Sequence, residues 1–355
     1  MRTVRQVALV LLLLWVFFFS ISLMSHAFAL MGGGFARALL ATTSNPFLGL
    51  FIGILATSLM QSSSATTSIV VGMVASSALP VCHAIPIVMG ANVGTTVTNV
   101  LVSFGHITRR EEFDRAFSGA VVHDIFNVLA VLILFPIEIY THFLERSSLV
   151  LTRGFEGAGG LMLVNPLNLS VKPFVKMADK VLIHPPLILV VSLILLLVAL
   201  TFIVRKTRGL ALPKIEALLD GYLFTTALRS FILGALFTAI IQSSSITTSV
   251  VIPLVGAGLL SVERIFPYTL GANVGTTVTA ILASLVTRNP VAIQTAFTHL
   301  LFNLAGICII YPMRRVPVGC ARFLGRRFSR SRRLAVIFVL MGFFGIPVLL
   351  ILIVR

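Results

Sequence analysis

Charged residues are scarce in this sequence, and their scarcity excludes most soluble proteins. Asp, Glu, Lys and Arg together make up 11% of the 355 residues, whereas soluble globular domains carry about 25%. Hydrophobic residues make up 57%, and the mean hydropathy is +1.06. Several apolar runs approach the roughly 20 residues that a helix needs to cross a bilayer. The composition therefore predicts an all-α, polytopic membrane protein embedded in the lipid bilayer.

Cysteine is also scarce, since Cys82, Cys308 and Cys320 are the only three. All three lie in or beside hydrophobic segments, so no disulfide framework is expected. No Cys and His residues stand at the spacing that holds a transition metal. We therefore expect neither a transition-metal site nor an organic cofactor.

Acidic residues number 11 against 27 basic ones, which gives a formal net charge of +16. In a soluble protein this excess would suggest a nucleic-acid partner. Here the basic residues stand between hydrophobic segments, where membrane proteins hold their cytoplasmic loops. We therefore expect no nucleic-acid partner.

The sequence contains an internal repeat. The segment Gly53–Thr98 matches Gly234–Thr279 without a gap. Each copy carries a QSSS motif followed, at the same distance, by GANVGTTVT, and a shorter pair, HDIFN and HLLFN, comes later. The motifs occupy Gln61–Ser64 and Gln242–Ser245, Gly90–Thr98 and Gly271–Thr279, and His123–Asn127 and His299–Asn303.

Seven apolar segments are predicted to cross the membrane as helices. The first follows Arg2 and Arg5, and we interpret it as an uncleaved helix because its apolar run exceeds the 7–15 residues of a signal-peptide core. The seven predicted spans are Val7–Leu30, His83–Phe104, Ala116–Tyr140, Val181–Val204, Ile265–Val286, Val291–Met313 and Leu334–Val354.

The apolar segments around each QSSS motif are shorter. Pro46–Met60 and Ala65–Leu79 hold about 15 residues each, which as helices reach only about 22 Å. The hydrocarbon core is about 30 Å thick. Two short helices around a polar turn predict a re-entrant hairpin, whose turn must be covered by protein or by a water-filled cavity. In the second copy, the first arm of the hairpin is predicted at Tyr222–Ile241.

The basic loops predict the orientation of the chain. With the N-terminus in the cytoplasm, the short basic segments Arg109–Arg115, Arg205–Lys214 and Arg314–Arg333 all lie on the cytoplasmic side. Thr141–Lys180 is then an external loop. If the hairpins are re-entrant, the first repeat starts outside and ends inside, and the second does the reverse. The repeats are therefore expected to be inverted, as in many secondary transporters that bind their cargo at the midplane.

This organisation divides the chain into five parts. Residues 1–45 hold the first transmembrane helix and a loop, and residues 46–140 form inverted repeat 1. Residues 141–220 hold the external loop, a linking transmembrane helix and a cytoplasmic loop. Residues 221–313 form inverted repeat 2, and residues 314–355 hold the basic cytoplasmic segment and a C-terminal transmembrane helix.

The two QSSS motifs are candidate binding sites for an anion. A helix is expected to begin just after each motif, at Ala65 and at Ile246. The free N–H groups and the positive dipole end of such a helix favour an anion. Two such helix starts that meet at the midplane would hold a doubly charged oxyanion. Close packing of small polar residues between helices is the alternative. The candidate residues are Gln61, Ser62, Ser63, Ser64, Gln242, Ser243, Ser244 and Ser245.

The GANVGTTVT motifs suggest a different ligand. Their glycines permit irregular backbone, and exposed carbonyls with threonine hydroxyls are the oxygen ligands that suit sodium in broken membrane helices. The alternative is a close helix contact of the GxxxG kind, since Gly90 and Gly94, and likewise Gly271 and Gly275, have that spacing. Both interpretations remain open on the sequence.

Ionisable and amide residues also lie inside apolar segments: His123, Asp124, Asn127, His299 and Asn303. They are candidates for proton or substrate handling, or for hydrogen bonds that join the two repeats. A hydrolase that uses the Ser62–Ser64 hydroxyls with His123 is a further alternative. The duplication argues against an enzyme, because a hydrolase needs one nucleophile rather than a mirrored pair.

These motifs resemble the type II sodium-dependent phosphate cotransporter family and its bacterial members. The likeness covers about residues 45–140 and 221–350. It rests on both QSSS motifs and on GANVGTTVTN at Gly90–Asn99, AVVHDIFN at Ala120–Asn127 and VERIFP at Val262–Pro267. It implies sodium-coupled symport of inorganic phosphate into the cell across the plasma (inner) membrane, with an elevator-type movement. A sodium- or proton-coupled carrier of sulfate or arsenate is the alternative, and a homodimer stays open.

The resemblance also implies roles for single residues. The QSSS serines would hold phosphate between the two turns, and Na⁺ would be the coupling ion. One sodium site would be lined by Gln242, Ser243, Asn273, Thr276 and Thr279, with Gln61, Ser62, Asn92, Thr95 and Thr98 as the counterparts in the first repeat. The chain departs from the vertebrate members between the halves, where they carry a large disulfide-bonded loop and this chain has only Thr141–Lys180 without cysteine.

Overall fold

The computed structural model of the protein describes residues 2–159, 165–182, 184–218, 224 and 226–354. In these residues every regular element is a helix. Seven helical stretches within these described ranges are long and apolar enough to cross a membrane, which confirms the prediction of an all-helical polytopic membrane protein. They are Ala8–Thr43, Val81–His106, Arg110–Thr141, Pro185–Thr207, Val262–Thr287, Pro290–Ile310 and Arg332–Val354.

The helices of the first half include both arms of the first hairpin and the spans around it. They are α1 (Arg2–Thr43), α2 (Pro46–Met60), α3 (Ser63–Ala75), α4 (Val81–Gly94), α5 (Val97–Ser103), α6 (Arg110–Thr141), α7 (Phe143–Gly157) and α8 (Asn165–Leu182). A short 3-10 turn, Phe104–His106, follows α5.

The second half repeats this order after one long helix. Its helices are α9 (Pro185–Leu218), α10 (Ala227–Ile241), α11 (Ser244–Ser249), α12 (Ile252–Gly256), α13 (Val262–Thr287), α14 (Pro290–Ile310), α15 (Arg315–Ser329), α16 (Arg332–Leu340) and α17 (Ile346–Val354). A π-helical turn, Met341–Gly345, joins α16 and α17. The predicted start of the second hairpin arm at Tyr222, and the domain boundary between residues 220 and 221, lie outside the described residues.

The long helices α1 and α9 pack against each other. Their contact buries Phe17, Ile21 and Met24 of α1 and Leu196 and Leu200 of α9 in one apolar cluster. The helix α1 runs beyond the predicted end at Leu30 and bends at Gly32, whose φ of 70° favours glycine. Each long helix precedes one hairpin, so the pair lies beside both QSSS motifs.

Glycines hold the first arm of each hairpin against the following span. A Cβ added at Gly94 would lie 2.5 Å from the carbonyl oxygen of Ile54, and one at Gly275 would lie 2.5 Å from that of Ala235. A Cβ at Gly271 would collide with the Phe231 carbonyl. These are the close backbone approaches that small-residue helix contacts make.

The expectation of irregular backbone in both GANVGTTVT motifs is wrong for the second copy. The helix α13 runs through Gly271–Thr279 without a break. In the first copy, α4 ends at Gly94 and α5 begins at Val97, with Thr95 and Thr96 between them. The glycines of both copies make close helix contacts, and only the first copy also has a break in its helix.

The segment expected to be an external loop, Thr141–Lys180, is mostly helical. Its amphipathic helix α7 is capped by the Glu138 carboxylate, which accepts hydrogen bonds from the N–H groups of Leu144 and Glu145. The ring of Phe155 contacts that of Phe297 on α14 at a centroid distance of 5.8 Å. The helices of this segment each bury one apolar face, whereas the same residues in an unstructured loop would be exposed to water.

The basic segment expected in the cytoplasm folds as the amphipathic helix α15. It crosses α6 at Gly325, where a Cβ would collide with the Ser118 hydroxyl. Its apolar face is buried through Pro317, Val318 and Ala321, and its arginines lie at the surface.

Candidate functional site

Each QSSS motif forms a sharp turn between two short helices. Gln61 and Gln242 adopt left-handed backbone, with φ of 52° and 62°, and end α2 and α10. Ser62 and Ser243 are extended, and their hydroxyl oxygens accept hydrogen bonds from the N–H groups three residues on, at 3.2 and 3.4 Å. Serine is a preferred N-cap residue for this reason.

Because the first serine acts as the cap, each second arm begins earlier than the sequence predicts. The helices α3 and α11 start at Ser63 and Ser244, not at Ala65 and Ile246. The remaining serines therefore lie in the first helical turn, where backbone N–H groups have no acceptor within the helix. Ser63, Ser64, Ser244 and Ser245 are all buried.

The two turns are neighbours in the folded chain. The Ser64 hydroxyl donates to the backbone carbonyl of Gln242 at 3.3 Å and lies 3.4 Å from the Thr279 hydroxyl. In the opposite direction, the Ser245 hydroxyl donates to the carbonyl of Thr95 at 3.4 Å. Residues 150 to 215 positions apart in sequence are thus brought into one polar cluster.

A cavity of about 390 Å³ opens between the two turns. Its polar lining comes from both hairpins and from the span after the first one: Gln61, Ser62, Thr98, Gln242, Ser243 and Ser245. The helix α9 closes one side of it with Leu197, Leu200, Thr201, Val204 and Arg205. Arg205 is the charged residue among these, so the cavity has a positive potential.

The position of Arg205 differs from the sequence interpretation, which placed it in a cytoplasmic loop. The helix α9 continues to Leu218, so Arg205 stays on a helix and shares a face with Thr201 and Leu197 at four-residue spacing. Its guanidinium lies 5.7 Å from the centre of the Phe202 ring. In the sequence, the four-residue spacing of Thr201 and Arg205 already indicates that the two side chains would lie on one face of a helix.

The Gln and Thr residues predicted for sodium behave differently in the two copies. In the second, the Thr279 hydroxyl donates to the Gln242 side-chain oxygen at 2.7 Å, and the Gln242 amide nitrogen donates to the Ala239 carbonyl. In the first, Gln61 is exposed. The Thr98 hydroxyl oxygen is buried at the cavity and has no hydrogen-bond partner in the part of the chain that the structure describes.

Other predicted sodium residues are bonded within their own helices. The hydroxyls of Thr95 and Thr276 donate to the carbonyls of Ala91 and Ala272, at 2.9 and 3.0 Å. The Thr95 carbonyl, at the gap between α4 and α5, already accepts the Ser245 hydroxyl. A threonine hydroxyl bonded in this way keeps an acceptor lone pair for a cation.

Asn92 and Asn273 belong to a separate buried cluster that joins the repeats. The Asn273 side-chain oxygen lies 2.5 Å from His123 Nε2, and the equivalent oxygen of Asn92 lies 3.3 Å from His299 Nε2. The Asn273 amide also donates to the Asn127 side chain at 2.8 Å. Each histidine thus contacts the asparagine of the other copy.

The backbone carbonyls of Asn92 and Asn273 also accept equivalent hydrogen bonds in the two repeats. The Asn127 amide donates to the Asn92 carbonyl at 2.9 Å, and the Asn303 amide donates to the Asn273 carbonyl at 3.5 Å. The asparagine side chains are therefore bonded to one another and to histidines, and they do not line the cavity between the QSSS turns.

Three buried polar residues in this region were missed by the sequence reasoning. Thr96 donates to the Asp124 carboxylate at 2.8 Å, and Thr248 donates to the side-chain oxygen of Asn99 at 2.9 Å. Thr96 lies within the first GANVGTTVT motif, Asn99 comes directly after it, and Thr248 comes three residues after the second QSSS motif. That proximity was the signal for them. They extend the polar interior from the QSSS turns to the histidine cluster.

Comparison with known proteins gives one family. A family model described as Na+/Pi-cotransporter matches residues 16–145 and 195–347, so each matched segment contains one QSSS motif. The human "Sodium-dependent phosphate transport protein 2B" is 34% identical over 447 aligned residues, with 96% of this chain and 64% of that protein covered. The sheep "Sodium-dependent phosphate transport protein 2A" is 34% identical over 428 aligned residues, covering 97% of this chain and 67% of that protein. No solved structure matches the chain.

Proposed function

Because the chain belongs to the Na+/Pi-cotransporter family, we propose that it carries inorganic phosphate into the cell together with sodium ions. The proposal concerns this chain, which spans about two thirds of the length of the curated relatives it matches. The observation that best supports this function is the polar cavity between the two QSSS turns, which Arg205 also lines. The function is transport and not catalysis.

Phosphate binds in this cavity through donors of three kinds. The first turns of α3 and α11 supply backbone N–H groups, and Ser62 and Ser243 stand at their starts. Serine hydroxyls and the Gln61 and Gln242 amides supply side-chain donors. The guanidinium of Arg205 supplies a permanent positive charge that forms charge-assisted hydrogen bonds with phosphate oxygens. Neutral and charged donors together match a doubly charged oxyanion.

Sodium binds beside the phosphate, at oxygens of the hairpin turns and of the spans that follow them. In the second repeat these are the oxygens of Gln242, Ser243, Thr276 and Thr279. The hydrogen bond between Thr279 and Gln242 supports the grouping. In the first repeat, the unpartnered hydroxyl of Thr98 at the cavity supports a counterpart site with Gln61, Ser62 and Thr95. Asn92 and Asn273 act instead in the contact between repeats.

Transport proceeds by alternating access between two inverted repeats with re-entrant hairpins. The paired contacts of His123 with Asn273 and of His299 with Asn92 support a two-fold relation between the copies. The α1–α9 pair is the fixed frame, and the two hairpins with α4 to α6, α13 and α14 form the moving core of an elevator. The chain lies in the cell (inner) membrane with its N-terminus in the cytoplasm, as the basic segments indicate.

Uptake of labelled phosphate into proteoliposomes tests the function. We expect uptake that requires an inward sodium gradient, and Ser64→Ala and Ser245→Ala should each reduce it by about tenfold, because Ser245 lines the cavity and the Ser64 hydroxyl joins the two turns through the Gln242 carbonyl. Ser192→Ala is the matched control. Its buried hydroxyl, on α9, donates to the Leu189 carbonyl and does not line the cavity.

Two outcomes would contradict the proposal. Phosphate uptake that continues without sodium would remove the coupling. Full uptake by both serine variants would remove the cavity between the turns as the phosphate site. Competition by sulfate or arsenate in the same assay measures the selectivity of the carrier.

A further inference from the structure

A second cavity lies far from the QSSS turns and is rich in arginine. It has a volume of about 480 Å³, within the range of about 300–1,000 Å³ that ligand pockets occupy. Four arginines and one glutamate line it: Arg264, Arg314, Arg315, Arg322 and Glu263. We call this cavity the arginine pocket.

The arginine pocket lies at the level of a membrane surface. It is built where the span α13 begins and the span α14 has just ended, and the rings of Phe266 and Tyr311 from these two regions stack at 6.3 Å. The first turn of α15 closes its third side. Phospholipid phosphates occupy this level, between the hydrocarbon core and the water.

The charges in the pocket are not balanced. Glu263 pairs with Arg322 at 2.7 Å, and Arg314 lies over the Tyr311 ring at 5.3 Å. Among the described residues, Arg264 and Arg315 have no carboxylate partner. The exposed guanidinium groups therefore face the pocket with a net positive charge, and an anion with several oxygens complements them.

The helix ends around the pocket add to this potential. The first turns of α10, α13 and α15 all contribute lining residues, among them Thr226, Arg264 and Arg315. Each of these helices is at least 15 residues long, so three positive dipole ends converge on the arginines.

Apart from Thr226, Ser230 and Tyr311, the rest of the lining is apolar, and this decides what kind of anion fits. Phe224, Phe266, Pro267 and Val318 line the pocket beside the arginines. Outside it, Phe323 of α15 is 66% exposed, as expected of an amphipathic helix that lies in the membrane interface. An anion with an attached acyl chain satisfies both halves of the lining, whereas free phosphate satisfies only the arginines.

We propose that the arginine pocket binds the phosphate headgroup of an anionic phospholipid, with the acyl chain along its apolar side. The site is separate from the cavity between the QSSS turns and does not depend on what the protein transports. A bound lipid would join α13, α14 and α15 and fix the amphipathic helix against the membrane.

Native mass spectrometry tests the proposal directly. The full chain is purified in neutral detergent, and phosphatidylglycerol and phosphatidylcholine are added in equal amounts without sodium or phosphate. We expect the protein to retain phosphatidylglycerol in preference. Arg264→Gln with Arg315→Gln should reduce that retention by about thirtyfold, because each basic residue near an anionic lipid contributes about five- to sixfold.

A charge-matched control separates the pocket from general attraction. Arg327→Gln with Arg330→Gln removes two exposed arginines of the same segment that do not line the pocket, and it should leave retention within about twofold of wild type. As a second variant, Gly319→Glu places a negative charge in the lining at a position with open space around its Cβ. Gly319→Glu should weaken retention of phosphatidylglycerol as Arg264→Gln with Arg315→Gln does.

Three results would overturn the proposal. Equal loss in both double variants would mean diffuse attraction to the basic segment. Unchanged retention in the pocket variants would mean that no lipid binds there. Displacement of phosphatidylglycerol by excess inorganic phosphate would make the pocket a site for the free ion. Ser64→Ala protein should retain the lipid normally, so failure here is distinguishable from failure of the transport assay.

Discussion

In the proposed phosphate site, Arg205 and the serines of the QSSS turns contribute different interactions. The serines of the QSSS turns and the N–H groups around them are neutral donors, which orient an oxyanion but carry no full charge. Arg205 comes from α9, outside both hairpins, and adds the charge at the side of the same cavity. An anion that leaves the turns therefore leaves this arginine as well.

Arg205→Gln should raise the KM for phosphate by about tenfold to a hundredfold, because it removes charge-assisted hydrogen bonds to the anion. Arg205→Lys should restore part of the affinity, since it keeps the charge and loses the bidentate geometry. Initial rates of uptake into proteoliposomes at varied phosphate concentration measure both.

Lys206→Gln is the control, because Lys206 is the next residue on α9 and does not line the cavity. It should leave the KM for phosphate unchanged. An equal rise in KM for the Lys206 and Arg205 variants would mean that general positive charge, and not contact with the anion, is responsible.

Glycines at equivalent positions of the two repeats allow α2 to pack against α4 and α10 to pack against α13. Gly90 faces the Leu50 carbonyl and Gly271 faces the Phe231 carbonyl, so in both pairs the backbones touch without side chains between them. Such contact gains van der Waals attraction that lipid does not provide. It also fixes the arm that carries each QSSS turn relative to the span that carries the threonines.

Gly271→Ala should destabilise the protein, because the added Cβ must push α10 away from α13. Overpacking of this kind costs about 1–3 kcal/mol, so the thermal unfolding transition in detergent should move to lower temperature. Gly154→Ala is the matched control: its Cβ meets nothing within 4 Å, and alanine in the interior of α7 favours the helix. A Gly271 variant as stable as the Gly154 variant would refute close contact as the role of this glycine.

The whole chain has two parts with different bonding. The two repeats are joined to each other by buried polar groups, through the histidines and asparagines and through Ser64 and Ser245. The α1–α9 pair meets the repeats mainly through apolar contacts, as where Gly72 faces the side chain of Met24, with one hydrogen bond between Thr43 and His83 and one from Thr207 to the Ile241 carbonyl. Apolar surfaces slide past each other without leaving unsatisfied donors, which suits a core that moves against the α1–α9 frame.

A disulfide between α1 and α3 should stop transport if the core moves in this way. Met24→Cys with Gly72→Cys, in protein whose three native cysteines are replaced by serine, places two thiols at this contact. A Cβ at Gly72 would lie 3.8 Å from Met24 Cγ, so the two side chains would face each other across this contact. Oxidation should abolish phosphate uptake, and a reductant should restore it.

Thr57→Cys with Thr66→Cys provides a comparison within the core. These residues belong to the two arms of the first hairpin, and their hydroxyl oxygens are 2.7 Å apart. A disulfide there should leave uptake intact, because both arms move together. Uptake that survives the α1–α3 disulfide would contradict an elevator movement.

Local sequence features were enough to predict the class of the molecule and the location of its polar turns. Composition and apolar run lengths gave the seven spans, and the short arms around each QSSS motif gave the four short helices, because hydrophobic length is a local property. The capping role of Ser62 and Ser243 was not predicted from the sequence. The continuation of α9 as a helix past Arg205 was not predicted either. The two roles of the GANVGTTVT glycines could not be told apart, since irregular backbone and close packing use the same residue.

Which polar groups meet depends on how the helices pack in the folded chain. Gln242 and Thr279 are bonded while Gln61 and Thr98 are not, although the motifs are identical. Asn92 and Asn273 turn to the histidines and away from the cavity. Arg205 reaches the cavity from a helix outside both hairpins. Hydrogen bonds are short-ranged and directional, so partners far apart in sequence are fixed by the packing of whole helices.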